Sequence, residues 1–344
     1  MFWAAGLKKI LCIPLCAELH EGVETIRTFQ RKPEPLVEGK PKVSVTSLMA
    51  AMAATVAPAL GKRCLLVLDA YFAVGPVFDI LKKVRDGAGH DLVHVVTRAK
   101  SNVVAYIDAP PKTGRPGRPR VYGEKLSLIK LFDTRRQDFQ QTRIELYGQV
   151  KSIAYLCLDL IWKPVGQKVR FVLVADDDER FILMSSDLAL DPKDMILAYS
   201  YRFKIEVSFK VLKHLIGVFF YRFWTSAWPR IAKATNSDLS TVDDRRGQRL
   251  IAEATDAIEA FVNFGCIACG ILQILALNFH ETIWRRYMGW LRTVSSRIPS
   301  EEVVRSVVQQ EYYHNFHAFS TDAIYRIIMS KSRGCQQNLM SLAA

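Results

Sequence analysis

A short apolar run that ends in an acidic residue is the feature that most constrains the fold of this chain. The run from Cys64 to Leu68 is continuous, and Asp69 follows it directly. Such a run is typical of a strand covered on both faces, as at the centre of a sheet with helices on either side. A helix is predicted over 75–84 and a second buried strand over 92–97. This strand, helix, strand order predicts an α/β fold.

The chain on either side of this unit has its own pattern. Upstream, a strand is predicted over 10–18 and an apolar helix over 45–60. Downstream, the stretch between Asp108 and Glu124 is rich in proline, glycine and arginine, so it can be neither helix nor central strand, and we expect an exposed basic loop. Four successive strands of a β-meander follow, over 142–147, 152–162, 168–174 and 180–186.

The rest of the chain is predicted to be helical. Asp191 offers an N-cap, Pro192 a proline at the first helical position and Asp194 an acid in the first turn, which together predict a long helix to about Ile216. The polar stretch 236–249 is interpreted as a linker or the beginning of a helix. Further helices are predicted over about 250–280, 281–294, 301–316 and 321–332.

The charge of the chain favours a polyanionic partner. Lys and Arg number 47 against 34 Asp and Glu, which gives a net charge of +13. An excess of this kind attracts nucleic acid, with DNA as the first partner to test and RNA or membrane lipid as alternatives. Charge alone does not choose among them, so the motifs decide.

Cysteine usage and apolar runs indicate a cytoplasmic protein. The seven cysteines are an odd number without zinc-ligand spacing, which is typical of a reducing compartment, and the Cys266, Cys269 pair is interpreted as core packing. Lys8 and Lys9 interrupt the apolar start, so export is not expected. The run 261–279 has the length of a membrane span, but it contains three amides, and we interpret it as a buried helix with no membrane partner.

Four reactive side chains share one face of the predicted helix that begins at Asp191. At about 100° per residue, Tyr199, Arg202, Glu206 and Lys213 fall within about 60° of one another, and Lys210 lies beside them. Charged helical faces usually form i, i+4 ion pairs in solvent. The spacing argues otherwise, because the four residues match the pattern Y-x2-R-x3-E-x6-K. Their apolar neighbours, Ile205, Phe209, Leu212 and Ile216, are predicted to pack on the sheet.

With this pattern the chain resembles the DDE transposases of bacterial insertion sequences that carry the Y-x2-R-x3-E-x6-K signature. The resemblance extends through LLVLDAYFAVGPVFDILKKV, HVVTRAKSNVVAY, GRPRVYGEKL, RFILMSSDLALDP and YSYRFKIEVSFKVLKHLIG, in the family's order. The segment AIEAFVNFGCIACGILQ of the helical tail is similar too. The resemblance therefore covers most of the chain.

The resemblance implies an α/β fold with an RNase H-like core, an inserted β-rich meander and a C-terminal helical region. Residues 1–107 would form the first part of the core, 108–190 the basic loop and the insertion, 191–228 the core helix with the signature, and 229–344 the helical region. The core of such an enzyme holds two divalent cations about 3.5–4 Å apart between carboxylates. Asp69 matches the second carboxylate of the family and Glu206 the third, with Mg²⁺ as the metal and Mn²⁺ as a substitute.

The resemblance also assigns DNA contacts and partners. Arg202 and Lys213 would contact phosphates and Tyr199 would steer a strand, with Lys210 beside them. The basic loop adds Arg115, Arg118 and Arg120 as DNA contacts, although a solvated loop explains it equally well. The expected partners are the inverted-repeat ends of the element, target DNA and a second copy of the chain, in the bacterial cytoplasm.

The start of the chain departs from the family pattern. Residues 1–17 contain no Asp or Glu, whereas the family places its first catalytic Asp on the first core strand. We therefore expect a truncated frame that lacks this strand, with impaired cleavage. The alternative is a non-catalytic DNA-binding remnant. A different RNase H-like nuclease, such as a junction resolvase, leaves the Tyr, Arg, Glu and Lys set unexplained.

Overall fold

The structure, a computed structural model, describes most of the chain. It covers residues 2–4, 9–20, 44–111, 120–176, 179–229, 239–292 and 297–315, with isolated positions beyond. The chain divides into two compact units. We call one the sheet unit, comprising Leu19–Ile205 and Thr225–Glu253, and the other the helical unit, comprising Met1–Glu18, Glu206–Trp224 and Ala254–Ala344.

Two short strands at the start of the chain belong to the helical unit. They are β1 (Phe2–Ala4) and β2 (Lys9–Leu11), which pair antiparallel. The strand predicted over 10–18 is therefore wrong in extent, since the backbone from Cys12 onward is irregular up to residue 20.

One mixed sheet of eight strands, as far as the chain is described, forms the sheet unit. Its strands are β3 (Cys64–Leu68), β4 (Val93–Arg98), β5 (Val104–Tyr106), β6 (Lys125–Ser127), β7 (Gln140–Leu146), β8 (Gln149–Trp162), β9 (Gln167–Ala175) and β10 (Arg180–Ser185). They lie in the order β3-β4-β10-β9-β8-β5-β6, and β7 pairs with β8. Only the pair of β3 and β4 is parallel among these strands. The fold is mixed α/β, as predicted.

The meander follows the sequence pattern closely. Strands β7 to β10 are joined by short turns and pair in chain order, in the same sheet as β3 and β4. Tyr147 and Gly148 connect β7 to β8 with φ values of 55° and 78°, the left-handed pair that a two-residue hairpin turn requires. Between β9 and β10, Asp176 and Glu179 hydrogen-bond across a turn. These two residues therefore join the ends of β9 and β10, and residues 177 and 178 between them lie outside the described ones.

Both faces of the sheet are buried by helices. Successive residues such as Phe171 and Val172, or Ile182 and Leu183, point to opposite faces and are at most 3% exposed. One face packs against α1 (Val45–Leu60) and α2 (Gly75–Leu81), with α3 (Leu131–Thr134) at its border. The other face packs against α4 (Pro192–Ser200) through Met195. Each such buried side chain contributes roughly 1.5–3 kcal/mol.

The first strand of the parallel pair lies at an edge. Within the described residues β3 pairs only with β4, and Leu65 is 37% exposed. The prediction of a central strand for this run is therefore wrong in position, although the strand has the predicted bounds. An apolar run indicates that both faces of a strand are packed against other elements. It does not indicate whether the strand pairs with another strand on one side or on both.

The long helix predicted from Asp191 is a helical run with two irregular turns. It comprises α4, a 3₁₀ turn (Tyr201–Phe203), α5 (Lys204–Lys210) and a π-helical turn (Val211–Ile216). The prediction that the apolar stripe of this helix packs on the sheet is wrong. Ile205 and Phe209 are 44% and 50% exposed, and Leu212 packs with residues of the helical unit. Because a 3₁₀ turn has three residues per turn, the regular α-helical spacing does not apply across it.

The N-cap of α4 gives a direct test of local stability. The Asp191 side chain accepts a hydrogen bond from the Lys193 amide at 2.8 Å, as predicted. We expect Asp191→Ala to lower the free energy of unfolding by about 1 kcal/mol, and Asp191→Asn to retain it because Asn caps equally well. The urea midpoint measures both variants. Equal losses in the two would contradict a capping role.

Three helices dominate the described part of the helical unit. They are α6 (Arg245–Asn278), α7 (His280–Arg286) and α8 (Glu301–His314), and the boundary between the units falls within α6. Two amides of α6 have protein partners: Asn263 exchanges two 2.9 Å hydrogen bonds with the Ala17 backbone, and Gln273 donates to Glu301 at 2.8 Å. The helix predicted over 321–332 lies largely outside the described residues.

The helix α6, which contains the apolar run 261–279, is only partly covered by other parts of the protein. In the described chain, α6 is the one helix long and apolar enough to cross a membrane, by length and composition alone, and 39% of its most apolar window is buried inside the protein. Cys269 and Leu272 pack in helical cores, whereas Phe264 and Ile267 are 70% and 55% exposed. The interpretation of this run as a buried helix is therefore correct for one face of α6 and wrong for the other.

The two cysteines of α6 lie on its buried face, as the sequence indicates. Burial raises the pKa of Cys269 to about 12 and also raises the pKa of Cys266. Since only the thiolate is nucleophilic, we expect iodoacetamide at pH 8 to leave both unlabelled in the folded protein and to label both after urea unfolding. Peptide mass spectrometry measures the labelling. Rapid labelling of Cys269 in the native protein would place it outside the core.

Candidate active site

The candidate site is built around Asp69 at the end of β3. The Asp69 side chain is 53% exposed, and its Oδ1 accepts a hydrogen bond from the Ala70 amide at 2.6 Å at the start of a short 3₁₀ turn (Ala70–Phe72). The Thr97 hydroxyl donates to the Asp69 carbonyl at 2.8 Å. The backbone is therefore held by β4 while the carboxylate faces solvent, at the strand end where α/β sheets place their ligands.

A residue of the signature lies beside this carboxylate. One guanidinium nitrogen of Arg202 is 3.7 Å from Asp69 Oδ2, and the Arg202 side chain is 30% exposed. At this distance and exposure the pair contributes at most about 1 kcal/mol. The structure thus brings together two predicted site residues from distant parts of the sequence, in a contact weak enough to exchange for a ligand.

Tyr199 joins the same cluster from the last turn of α4. Burial raises the pKa of the Tyr199 phenol, Asp69 raises it further, and the Arg202 cation opposes the shift. The Tyr199 ring lies 6.4 Å from the ring of Phe181 in β10. The phenol is therefore a neutral hydrogen-bond donor at neutral pH, held against the sheet by an aromatic neighbour.

Arg98, which sequence reasoning missed, completes the cluster. Arg98 ends β4, and its guanidinium lies 5.5 Å from the centre of the Phe181 ring and donates to Glu179. Leu68 pairs with Thr97 in the parallel register of β3 and β4. Asp69 and Arg98, the next residues, therefore lie side by side at the carboxyl ends of these two strands. The predicted strand, helix, strand order could have indicated Arg98, because two parallel strands have their carboxyl ends at the same side of the sheet.

The other signature residues belong to the helical unit. Glu206 and Lys210 are exposed on α5, and Lys213 is exposed on the π-helical turn. Asp69 belongs to the sheet unit, so the expectation that Asp69 and Glu206 share a metal pair stays a prediction. Lys210 and Lys213 stay predicted DNA contacts in the same way.

The chemistry of the donor set suits a hard cation. The carboxylate oxygens of Asp69 are accessible and only weakly paired, and oxygen ligands of this kind are the ones that Mg²⁺ prefers. Among the residues that the structure describes, no group of three or more His, Cys, Asp or Glu side chains is placed to hold a metal ion. Asp69 therefore fits as one ligand of such a site rather than as the whole of it.

The predicted basic loop is described only in part. Arg115 and Arg118 lie outside the described residues, and Arg120 is exposed at its end. Two further acids have structural partners: Asp187 forms an ion pair with Arg63 at 3.0 Å, and Asp191 caps α4 as predicted. No protein-family model matches this chain, and no curated protein matches it.

Proposed function

We propose that the chain is a metal-dependent DDE transposase of a bacterial insertion sequence, built on an RNase H-like core. The observation that carries the proposal is the meeting of Asp69, Tyr199 and Arg202 at one strand end. A helical face of ion pairs in solvent would not require this meeting. The meeting suits a site that positions a phosphodiester beside a metal-binding carboxylate.

The surrounding topology supports the same proposal. Asp69 follows an edge strand that is parallel to β4, antiparallel strands continue the sheet, and helices cover both faces. Met195 and Ile196 bury α4 on one face, which fixes the last turn of that helix close to the strand end. This packing holds Tyr199 and the following turn with Arg202 beside Asp69, which supports the proposal that they act together.

Each residue then has a chemical role. Asp69, with Glu206 in the complete site, would hold Mg²⁺ or Mn²⁺, which supplies Lewis-acid stabilisation of the attacking and leaving oxygens at a phosphodiester. The guanidinium of Arg202 exchanges its contact with Asp69 for hydrogen bonds to phosphate oxygens of the transposon end. Tyr199 donates a hydrogen bond to the strand or stacks on a base, and Lys210 and Lys213 add point charges along the phosphates.

The proposed partners follow from these roles. The enzyme binds double-stranded DNA at the inverted-repeat ends, cleaves there, and joins the freed 3′ hydroxyl to target DNA, with two copies of the chain holding the two ends in the bacterial cytoplasm. The net charge of +13 supports a polyanionic partner.

A cleavage and joining assay tests the proposal. The substrate is a labelled duplex carrying the inverted repeat that flanks the gene, incubated with Mg²⁺ or Mn²⁺ and, as a control, with a chelator. We expect metal-dependent nicks at the repeat boundary, at the impaired rate expected for this chain, and transfer of the 3′ end into a second duplex. Binding without nicking would favour the non-catalytic DNA-binding remnant, and cleavage without transfer would favour another RNase H-like nuclease.

A further inference from the structure

A pocket in the sheet unit lies among residues to which the proposed site assigns no role. Its volume is about 470 Å³, and it is bordered by the start of α2, by β5 and β6, and by the turn between β8 and β9. Pockets of about 300–1,000 Å³ are typical of small-molecule and cofactor sites. The pocket is therefore large enough for a ligand of nucleotide size.

Three lysines give the pocket its charge. Lys100, Lys125 and Lys163 line it together with the exposed amide of Asn102. The described residues around the pocket include no Asp or Glu, and none of the three ammonium groups forms an ion pair with a described carboxylate. Three uncompensated cations around one concave surface attract an anion, and ammonium groups bind phosphate as point charges.

The inner wall of the pocket is apolar and rigid. Its floor consists of Val103, Trp162 and Met184, which are at most 8% exposed, and the accessible apolar surface above this floor comes from the half-buried Val74, Val104 and Tyr106. The Trp162 ring packs edge to face on Phe78 at 5.3 Å. A side chain at Gly75 would lie 2.8 Å from the carbonyl oxygen of Pro164, so the turn next to Lys163 packs closely against α2. The cationic rim thus stands on a fixed apolar surface.

We propose that this pocket binds one nucleotide, with its phosphate among the three lysines and its base against the apolar wall. A nucleotide joins an anionic group to a flat, largely apolar ring, which matches a cationic rim on an apolar surface. The nucleotide belongs either to a DNA strand or to a free nucleotide in solution. The DNA form of this inference rests on the proposed function, whereas the free form does not.

A matched pair of triple variants tests the pocket by calorimetry and gel shift. The pocket variant carries Lys100→Gln, Lys125→Gln and Lys163→Gln. The control carries Lys62→Gln, Lys130→Gln and Lys193→Gln, which removes the same charge from exposed lysines elsewhere in the sheet unit. The probes are inorganic phosphate, deoxyadenosine monophosphate and a short single-stranded oligonucleotide at low salt.

We expect the intact protein to bind deoxyadenosine monophosphate more tightly than inorganic phosphate, because only the nucleotide uses the apolar wall. The pocket variant loses at least about tenfold in nucleotide affinity, a change of about 1.4 kcal/mol. The control changes affinity by less than about twofold, since isolated surface charges contribute little. Asn102→Asp, which adds a negative charge at the exposed rim, weakens binding in the same direction.

Two results would overturn the pocket: equal losses of nucleotide affinity in the two triple variants, or equal affinity of the intact protein for phosphate and nucleotide. If the pocket variant binds the oligonucleotide as tightly as the intact protein does, only the DNA form of the inference fails, and the proposed transposase is left intact. Binding of the free nucleotide without binding of DNA supports the pocket and removes support from the proposed function. The two inferences therefore fail separately.

Discussion

Asp69→Asn lowers the rate of metal-dependent cleavage at the inverted-repeat end by about 10²-fold or more, because loss of a positioning ligand at the reacting centre has effects of that size. Asn has the shape of Asp and accepts the Ala70 hydrogen bond that Asp69 accepts now, so the N-cap and the fold are retained. What Asn lacks is the charge that a hard cation requires. Single-turnover nicking with Mn²⁺ measures the effect.

The matched control for Asp69 is Asp79→Asn, an exposed acid on α2 of the same unit. We expect Asp79→Asn to cleave at the rate of the unchanged protein, and both variants to unfold at the same urea concentration. If Asp69 is only a helix cap, the Asn variant keeps full activity and Asp69→Ala loses about 1 kcal/mol of stability. Full activity in Asp69→Asn would therefore remove the residue from the site.

DNA affinity falls by about 10³-fold between 50 and 200 mM salt if about six phosphates are neutralised, because each neutralised phosphate releases counterions. The logarithm of the association constant should fall linearly with the logarithm of the salt concentration. The net charge of +13 supplies the cations. A gel-shift or fluorescence titration over this range measures the slope, and a flat response would contradict an electrostatic interface.

Arg115, Arg118 and Arg120 are tested by the same slope. Replacing all three with Ala lowers the magnitude of the slope of the association constant against salt concentration, both as logarithms. The slope falls by about 0.9 for each phosphate that the variant no longer neutralises. The matched control replaces Arg85, Arg135 and Arg249, whose charges are already balanced by Asp91, Asp138 and Glu253. An unchanged slope in the first variant would exclude this loop from the DNA interface.

The elements that follow from local pattern could be predicted from the sequence. The helix from Val45 to Leu60 has its predicted bounds, β3 and the four meander strands lie within a few residues of their predicted positions, and the Asp191 cap is present. These features depend on nearest neighbours along the chain: alternation of apolar residues, turn composition and side-chain capping. The pairing of Asp69 with Arg202 could be anticipated only through the spacing of the signature.

The features that the sequence did not predict depend on distant neighbours. The edge position of β3 is set by which strands lie beside it, and Arg98 joins the site through the register of a parallel pair. The exposure of Ile205 and the irregular turns on either side of α5 depend on packing that no helical wheel contains. Tertiary context overrides a regular period at these positions.

The connectivity of the sheet also determines the order in which the chain can fold. Strands β7 to β10 pair with their neighbours in the sequence, whereas β4 and β10, which pair through residues such as Thr97 and Met184, are separated in the sequence by β5 to β9. Contacts that close long loops form slowly, because their entropy cost precedes their gain. We therefore expect the meander to be the early folding nucleus and the surroundings of Asp69 to assemble in the last, rate-limiting step.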